Sequence, residues 1–155
     1  MRPLSPFARA GLVALVVLAA DQVTKAIVRG SIPYGDTRRV IGGALTLVHE
    51  QNSGVAFSLL TGSEAGVIVI TLAVVCAVLA FFARQRARRW MWLACGLVVG
   101  GAIGNLADRV LRGSVTDFIK LPDWPAFNVA DTAITIGVLT LVLAVGGGGA
   151  VARTA

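Results

Sequence analysis

The residues of this sequence that could do chemistry are its few carboxylates. Only eight acidic residues occur among 155, and five of them lie near the ends of long apolar segments. A carboxylate at membrane depth costs roughly 2.5 to 3.5 kcal/mol on insertion scales, so several at one end predict a shared polar site. These five residues are Asp21, Asp108, Asp117, Asp123 and Asp131.

Asp117 and Asp131 are the pair with the clearest chemical use. Only 13 residues separate them, so a short loop can bring them together. Two adjacent carboxylates cannot both ionise cheaply, which leaves one to take a proton from water while the other polarises a carbonyl. This pair favours general acid-base hydrolysis. The alternative is that both carboxylates only stabilise helix ends, where Asn128 can act as an N-cap.

Other polar residues could support such a site. Asp21 and Lys25 are four residues apart on one helical face and can form an ion pair. Asn105, Asp108 and Arg109 share a face of a later segment by the same type of spacing. These residues predict a polar lining at one end of the helices.

Nucleophilic and metal chemistry have less support. His49 is the only histidine and lies among strand-like residues, so we interpret it as a surface residue and expect no Ser-His-Asp or HExxH site. Cys76 and Cys95 each lie inside an apolar run and are interpreted as packing residues. We expect no metal and no other cofactor, although carboxylate oxygens could hold Mg²⁺.

The elements that must position these residues are membrane helices. The chain is 56% hydrophobic and 14% charged, whereas roughly a quarter of residues are charged in soluble domains. Four segments approach the 20 or so apolar residues that cross a bilayer, and Gly100 and Gly104 would allow close helix packing. We predict one integral membrane domain over 1–155, with spans near 7–28, 66–82, 90–107 and 128–145 and a flexible tail at 146–155.

The arginines predict the topology. Four of them between residues 84 and 89 place that loop and both termini in the cytoplasm, although Arg29, Arg38 and Arg39 count against this arrangement. The arginines are not interleaved with aromatic residues, so nucleic acid is not an expected partner. A cleaved signal peptide is an alternative for the first segment, but its pattern continues past Thr24 and three further spans follow.

The first outer loop predicts a small sheet. Val40–Ile41, residues 44–48 and residues 55–60 are β-branched or apolar runs separated by Gly and Asn. The predicted fold is therefore α-helical and membrane-spanning, with four helices and a small extracytoplasmic β-sheet in the first outer loop.

Five motifs resemble those of the lipoprotein signal peptidases (signal peptidase II), which are bacterial membrane aspartic proteases. They occur in the family's order across about 110 residues, and together they are highly specific. The motifs are Asp21-Gln22-Val23-Thr24-Lys25, Asn52-Ser53-Gly54-Val55-Ala56-Phe57, the run from Gly100 to Arg109, Val115-Thr116-Asp117-Phe118, and Phe127-Asn128-Val129-Ala130-Asp131.

The resemblance implies a site and a substrate. Asp117 and Asp131 would be catalytic, and the substrate would be a prolipoprotein cut just before a cysteine that carries diacylglyceryl. The enzyme would lie in the bacterial cytoplasmic membrane with its site at the extracytoplasmic face, in contact with membrane lipid, and globomycin would inhibit it. The resemblance assigns substrate binding or support of the site to Asn52, Gly54, Asn105, Asp108, Arg109, Asn128, Ala130, Asp21 and Lys25.

Two other functions remain open at this point. A small proton-coupled transporter or channel subunit could use Asp21, Asp108, Asp117 and Asp131 as a proton relay. These acids lie at segment ends, whereas a transporter site is expected at mid-span. A purely structural membrane protein would leave the clustered aspartates unexplained.

Overall fold

The computed structural model describes residues 3–42, 44–54 and 63–146. Within them lie four helices that are long and apolar enough to cross a membrane, as predicted. The predicted strand at 55–60 and the predicted tail beyond Gly146 fall outside the described residues. The helices are α1 (Pro6–Ser31), α2 (Glu64–Gln85), α3 (Met91–Arg112) and α4 (Val129–Gly146).

Local sequence explains where these helices begin and end. Ser5 caps α1, its Oγ accepting from the Ala8 N–H at 3.2 Å, and Ser63 caps α2 by the same contact with Gly66. α3 ends at Arg112 and is followed by the cap residue Gly113, which has a φ of 76°, a conformation that favours glycine.

α3 is the central helix of the bundle. In its most apolar window 67% of residues are buried, against 11% to 22% for the other three helices. Those three therefore expose apolar side chains such as Leu143, which is 75% exposed, as expected of helices in lipid. Cys95 of α3 is buried as predicted, but Cys76 of α2 is exposed, so its interpretation as a packing residue was wrong.

Glycines on α3 set the helix orientations. A Cβ on Gly100 would lie 2.7 Å from the Ala14 carbonyl oxygen of α1, and one on Gly104 would lie 2.7 Å from Asp21 Oδ2. The predicted small-residue pair thus allows α1 to pack closely and parallel to α3. Gly101 meets Ala130 near the start of α4 and Gly137 meets Val98 further along it, so α4 runs antiparallel to α3.

The bundle consequently has two distinct ends. The start of α1, the turn between α2 and α3, and the end of α4 lie together at what we call the arginine end. The end of α1, the start of α4 and a small sheet lie at the opposite end, called the site end.

The sheet is antiparallel in the order β1-β2-β3. Its strands are β1 (Thr37–Ile41), β2 (Leu45–Asn52) and β3 (Val115–Lys120). The first two lie in the first outer loop as predicted, but β3 comes from the connection between α3 and α4. Phe118 of β3 packs against Val28 and Ile32, which seats the sheet on α1.

Two residues near the sheet differ from the sequence-based interpretation. Asp117, which the sequence predicts in the outer loop between the third and fourth spans, lies in strand β3. His49 is buried at 7% exposure and not on the surface, because its Nδ1 hydrogen bonds the Ile32 carbonyl at 2.8 Å and its ring packs edge-on to Tyr34.

Candidate active site

Asp117 is held at the site end by two amides. It is 3% exposed, and each of its carboxylate oxygens accepts one side-chain hydrogen bond. Asn52 Nδ2 donates to Oδ2 at 3.0 Å, and Asn128 Nδ2 donates to Oδ1 at 2.7 Å. Asn52 ends β2 and Asn128 precedes α4, so two separate elements fix the orientation of this carboxylate.

Asp131 is held by the first turn of α4. Its backbone N–H donates to Asn128 Oδ1 at 2.9 Å, and its Oδ2 accepts from the Asn128 N–H at 3.1 Å. This reciprocal pair has the pattern of a capping box, with Asp in place of the usual Glu or Gln. Asn128 therefore caps α4 as predicted, and Asp131 lies in the first turn of that helix, at the positive end of the helix dipole.

Asn128 connects the two aspartates. Its side chain is fully buried, donating to Asp117 and accepting from the Asp131 backbone. Its Nδ2 also lies 3.1 Å from Asn105 Oδ1, and Asn105 Nδ2 donates to Asp131 Oδ1 at 2.8 Å. The two carboxylates thus belong to one hydrogen-bonded network although they come from a strand and a helix.

Lys25 fixes the orientation of Asn105. The Lys25 ammonium has only donors and lies 2.9 Å from Asn105 Oδ1. The oxygen of that amide must therefore face Lys25, which turns its NH₂ toward Asp131. Lys25 of α1 thus ensures that Asn105 donates a hydrogen bond to the Asp131 carboxylate.

Two buried acids complete the support of the site. Lys25, Asp21 and Asp108 are fully buried, and Lys25 Nζ lies 2.8 Å from Asp21 Oδ2 and 3.3 Å from Asp108 Oδ2. The predicted Asp21–Lys25 ion pair is thus confirmed. Buried charges are tolerated only when paired and hydrogen-bonded, and this cluster meets that condition.

Each buried acid holds the residue before one aspartate of the pair. Asp21 Oδ1 accepts the Ala130 N–H at 3.0 Å, next to Asp131. Asp108 Oδ2 accepts the Thr116 N–H at 3.1 Å, next to Asp117. Because both acids share Lys25, one charge cluster positions both elements that carry the pair.

Sequence analysis missed the outer members of this cluster. Arg29 lies 3.6 Å and Arg112 3.8 Å from Asp108 Oδ1, and Arg29 also donates to Thr116 Oγ1 at 3.0 Å. Spacing could have identified them, because each follows Lys25 or Asp108 by four residues. Arg29, which counted against the predicted topology, is therefore partly used within the site.

Gly54 and Arg109 lie beside the pair. The Gly54 N–H donates to Asn52 Oδ1 at 2.8 Å, and its φ of 70° explains the glycine. A Cβ there would lie 3.6 Å from an Arg109 guanidinium nitrogen, so the loop and α3 are close. By contrast Asp123, at φ 56°, is an exposed loop residue outside this network.

The environments of the two carboxylates differ. Burial raises the pKa of Asp117 to about 6, and the neighbouring Asp131 carboxylate acts in the same direction. Hydrogen bonds from Asn52 and Asn128 oppose this rise in pKa. Asp131 is half-buried, and the raised pKa of Asp117 makes Asp117 a candidate to hold a proton.

Two cavities meet at Asp131. One of about 310 Å³ lies between α2, α3 and α4, with apolar walls such as Val67, Val98 and Ile134 and a polar end of Asn105, Arg109 and Asp131. A second of about 280 Å³ lies on the other side, between the loop before α4 and α4 itself. A bound chain could therefore pass Asp131 with apolar groups on either side.

Two networked carboxylates, one of which lines the polar end of an apolar cavity, are the arrangement expected of a hydrolase in a membrane, and comparisons with known proteins identify the family. The family model for signal peptidase (SPase) II matches residues 13–146. The chain therefore belongs to the signal peptidase II family and is a peptidase and a multi-pass bacterial membrane protein.

Individual relatives agree with this assignment. The chain is similar to the lipoprotein signal peptidase of Halothermothrix orenii, at 36% identity over 85% of this chain and 91% of the relative. It is also similar to that of a Staphylococcus aureus strain, at 37% identity over 86% of this chain and 85% of the relative.

Two solved structures share the fold. Both are described as bacterial membrane enzymes determined by the in meso method, at 1.9 and 2.3 Å resolution. The first has a TM-score of 0.82 at 36% identity, covering 88% of this chain and 91% of that one. The second has a TM-score of 0.88 at 32% identity, covering 100% and 98%.

Proposed function

We propose that this peptidase is an aspartic endopeptidase that removes signal peptides from diacylglyceryl-modified prolipoproteins, cleaving just before the lipidated cysteine. Asp117 and Asp131 would be its catalytic residues. The observation that carries the proposal is the Asn128 bridge, which joins a buried carboxylate of raised pKa to a half-buried one at a helix N-terminus. A peptidase family leaves no need for the transporter alternative.

The two carboxylates have complementary roles in this mechanism. Asp131, ionised, takes a proton from water as the water oxygen attacks the scissile carbonyl carbon, while protonated Asp117 donates to the carbonyl oxygen. The resulting diol collapses as its C–N bond breaks, the amine nitrogen receiving the proton from Asp131 and Asp117 recovering its proton from a hydroxyl. The dyad is regenerated without net proton change.

The surrounding residues hold the dyad and the substrate. Asn52, Asn105 and Asn128 donate to the carboxylates, and Asp21, Lys25, Asp108 and Ala130 hold the elements that carry them. Arg109 lines the cavity and Gly54 lies beside Arg109, so both would be near the substrate backbone. The 310 Å³ cavity offers apolar walls for the residues that precede the cysteine.

We place the site end at the extracytoplasmic face of the cytoplasmic membrane. The exposed Arg84, Arg86 and Arg89 lie at the opposite end, and arginine-rich short loops remain cytoplasmic. Cysteine labelling tests this orientation. A cysteine at position 86 should be protected from an impermeant reagent in intact cells, and one at exposed position 38 should react; the reverse pattern would refute the orientation.

Cleavage by the purified protein tests the function itself. A peptide with a signal sequence and diacylglyceryl cysteine should be cut before that cysteine, and globomycin should block the reaction. The matched substrate without diacylglyceryl should be cut far more slowly. Equal cleavage of both peptides would contradict the proposed specificity, and cleavage at another bond would contradict the proposed site.

A further inference from the structure

The charges of this protein are divided between the two ends of the bundle. The acidic residues of the sequence lie in the helix turns nearest the site end, in its sheet or in the connections beside that sheet. The last turn of α2 and the turn after it contain arginines as their only charged residues. Among the side chains that the structure describes, all four ion pairs involve Asp21 or Asp108. Within residues 3–42, 44–54 and 63–146, no carboxylate forms an ion pair with the arginines of the arginine end.

These arginines surround a notch between helices. Arg88 and Arg89, with Trp90 and Leu93, line one wall of a cavity of about 720 Å³, and Leu143 and Ala144 of α4 line the other. Arg88 donates to Gln85 Oε1 at 2.8 Å and to the Val145 carbonyl at 3.2 Å, which joins the α2–α3 turn to the end of α4. We call this cavity the arginine notch.

Aromatic residues place the notch at the membrane boundary. The Arg89 guanidinium lies 5.1 Å from the centre of the Trp90 ring, and that of Arg9 lies 5.9 Å from the centre of the Trp92 ring. Tryptophan is enriched where hydrocarbon meets headgroups, and the stacked guanidiniums lie at the same level. From there the exposed face of α4, including Leu143, continues into the bilayer.

We propose that the arginine notch binds one anionic glycerophospholipid. Its phosphate would contact Arg88 and Arg89, and one acyl chain would lie along Leu93 and Leu143. A zwitterionic lipid offers the same chains but carries its own cation, so guanidiniums that pair with no carboxylate among the described residues favour a headgroup with net negative charge. The assignment is independent of the cleavage reaction, because the notch lies at the opposite end of the bundle from Asp117 and Asp131.

Native mass spectrometry of the full chain, released from detergent with lipids of identical acyl chains, tests this proposal. Phosphatidylglycerol should be retained in preference to phosphatidylcholine with one lipid per chain. The double substitution Arg88→Gln and Arg89→Gln should reduce that preference by about 25-fold, since each arginine contributes about fivefold near an anionic surface. Arg89→Gln alone, which leaves the Arg88 contacts in place, should reduce it by about fivefold.

The protein provides a matched control at its other end. Arg38→Gln with Arg39→Gln removes the same charge from exposed strand β1 and should leave the lipid preference unchanged. An equal loss in this control would mean that only net charge matters, and it would refute the notch. Displacement of the lipid by millimolar glycerol 3-phosphate would indicate a phosphate site that needs no acyl chain, and equal retention of both lipids would overturn the proposal.

Discussion

The two ends of this helix bundle treat charge in opposite ways. At the site end Asp21, Lys25 and Asp108 are fully buried and bonded to one another. At the arginine end Arg86 and Arg89 are exposed. Arg86 donates to the Ala83 carbonyl, and the Arg89 guanidinium lies over the Trp90 ring. Burying an ion costs several kcal/mol unless partners compensate, so the site end requires its whole network while the arginine end does not.

This difference has a functional consequence. The buried network fixes the backbone next to each aspartate of the pair. The N–H groups of Thr116 and Ala130, the residues before Asp117 and Asp131, each donate to a buried carboxylate. Exposed arginines keep their rotamer freedom and can adapt to lipid headgroups. Substitutions of similar chemistry should therefore have large effects at one end and small effects at the other.

The largest expected effect is on the aspartate pair. Asp117→Asn and Asp131→Asn keep the shape of each side chain but remove half of the acid-base couple, so each should reduce the rate of cleavage by roughly 10²- to 10⁴-fold. The double variant should be little worse than either single one, because groups that act as a unit are not additive. The measurement is the initial rate on a lipidated peptide.

Asp123→Asn is the matched control for this pair. Asp123 is an exposed loop acid between the two aspartates, and its substitution should leave the rate near that of the unchanged protein. Binding of globomycin by the inactive variants would show that they are folded. A rate above one tenth in either single variant would remove that residue from the dyad.

The next largest expected effect is on protein stability, when one cation is removed from each end of the bundle. Lys25→Met removes the buried cation that Asp21 and Asp108 share and leaves Asp108 only the longer contacts with Arg29 and Arg112, so it should destabilise the protein by about 3 to 5 kcal/mol. Arg86→Gln at the arginine end should change stability by no more than about 0.5 kcal/mol. Unfolding in detergent, followed by circular dichroism, measures both.

A third variant guards against simple misfolding. Combining Lys25→Met with Asp21→Asn and Asp108→Asn removes all three charges, while the amide oxygens can still accept from Ala130 and Thr116. Most of the lost stability should return. If the triple variant is as unstable as Lys25→Met alone, then side-chain packing and not uncompensated charge explains the loss.

A smaller effect concerns the pKa of Asp117, which burial raises to about 6. If its proton polarises the carbonyl, activity is present below that pKa and falls as pH rises through it. Asn52→Leu removes a hydrogen bond that lowers this pKa, so the falling limb should move to higher pH by about one unit. Ser53→Ala, an adjacent exposed change, should not move it.

The opposite shift is expected from the partner aspartate. Asp131→Asn removes the negative charge that raises the pKa of Asp117, so that pKa should fall. Because this variant is inactive, infrared titration of the Asp117 carboxyl provides the measurement. An unchanged titration would mean that the two carboxylates do not interact.

Much of the fold was predictable because membrane helices leave strong sequence patterns. A run of about twenty apolar residues predicts a membrane-spanning helix without knowledge of what it packs against. The Asp21–Lys25 ion pair follows from helical spacing alone. Strand β3 was not predicted, because its partner β2 lies more than 60 residues earlier in the chain. The burial of His49 was not predicted either, because its contact with Ile32 forms only in the folded protein.

The candidate site was predictable in its residues but not in its connections. Resemblance to a family suggested Asn105 and Asn128 as hydrogen-bond donors, yet no spacing indicates that Asn128 bridges the two aspartates. The roles of Asp21 and Asp108 as partners of Ala130 and Thr116 likewise depend on contacts between distant segments. Spacing could have identified Arg29 and Arg112, since each lies four residues from a member of the cluster.

The smallest expected effect is that of a chelator, which tests whether the site end needs a metal ion. A Mg²⁺ site presents carboxylate and carbonyl oxygens toward the ion. Here the amide NH₂ groups of Asn52, Asn105 and Asn128 face the two carboxylates, so the neighbouring amides present donors where a metal would need further acceptors. Cleavage of the lipidated peptide should therefore proceed at an unchanged rate in excess EDTA. A magnesium-dependent peptidase assayed in the same buffer would confirm that the chelator is effective. If activity disappears in EDTA and returns with Mg²⁺, the amides must turn to offer their oxygens, and a metal-bound water would replace the shared proton as the basis of the reaction.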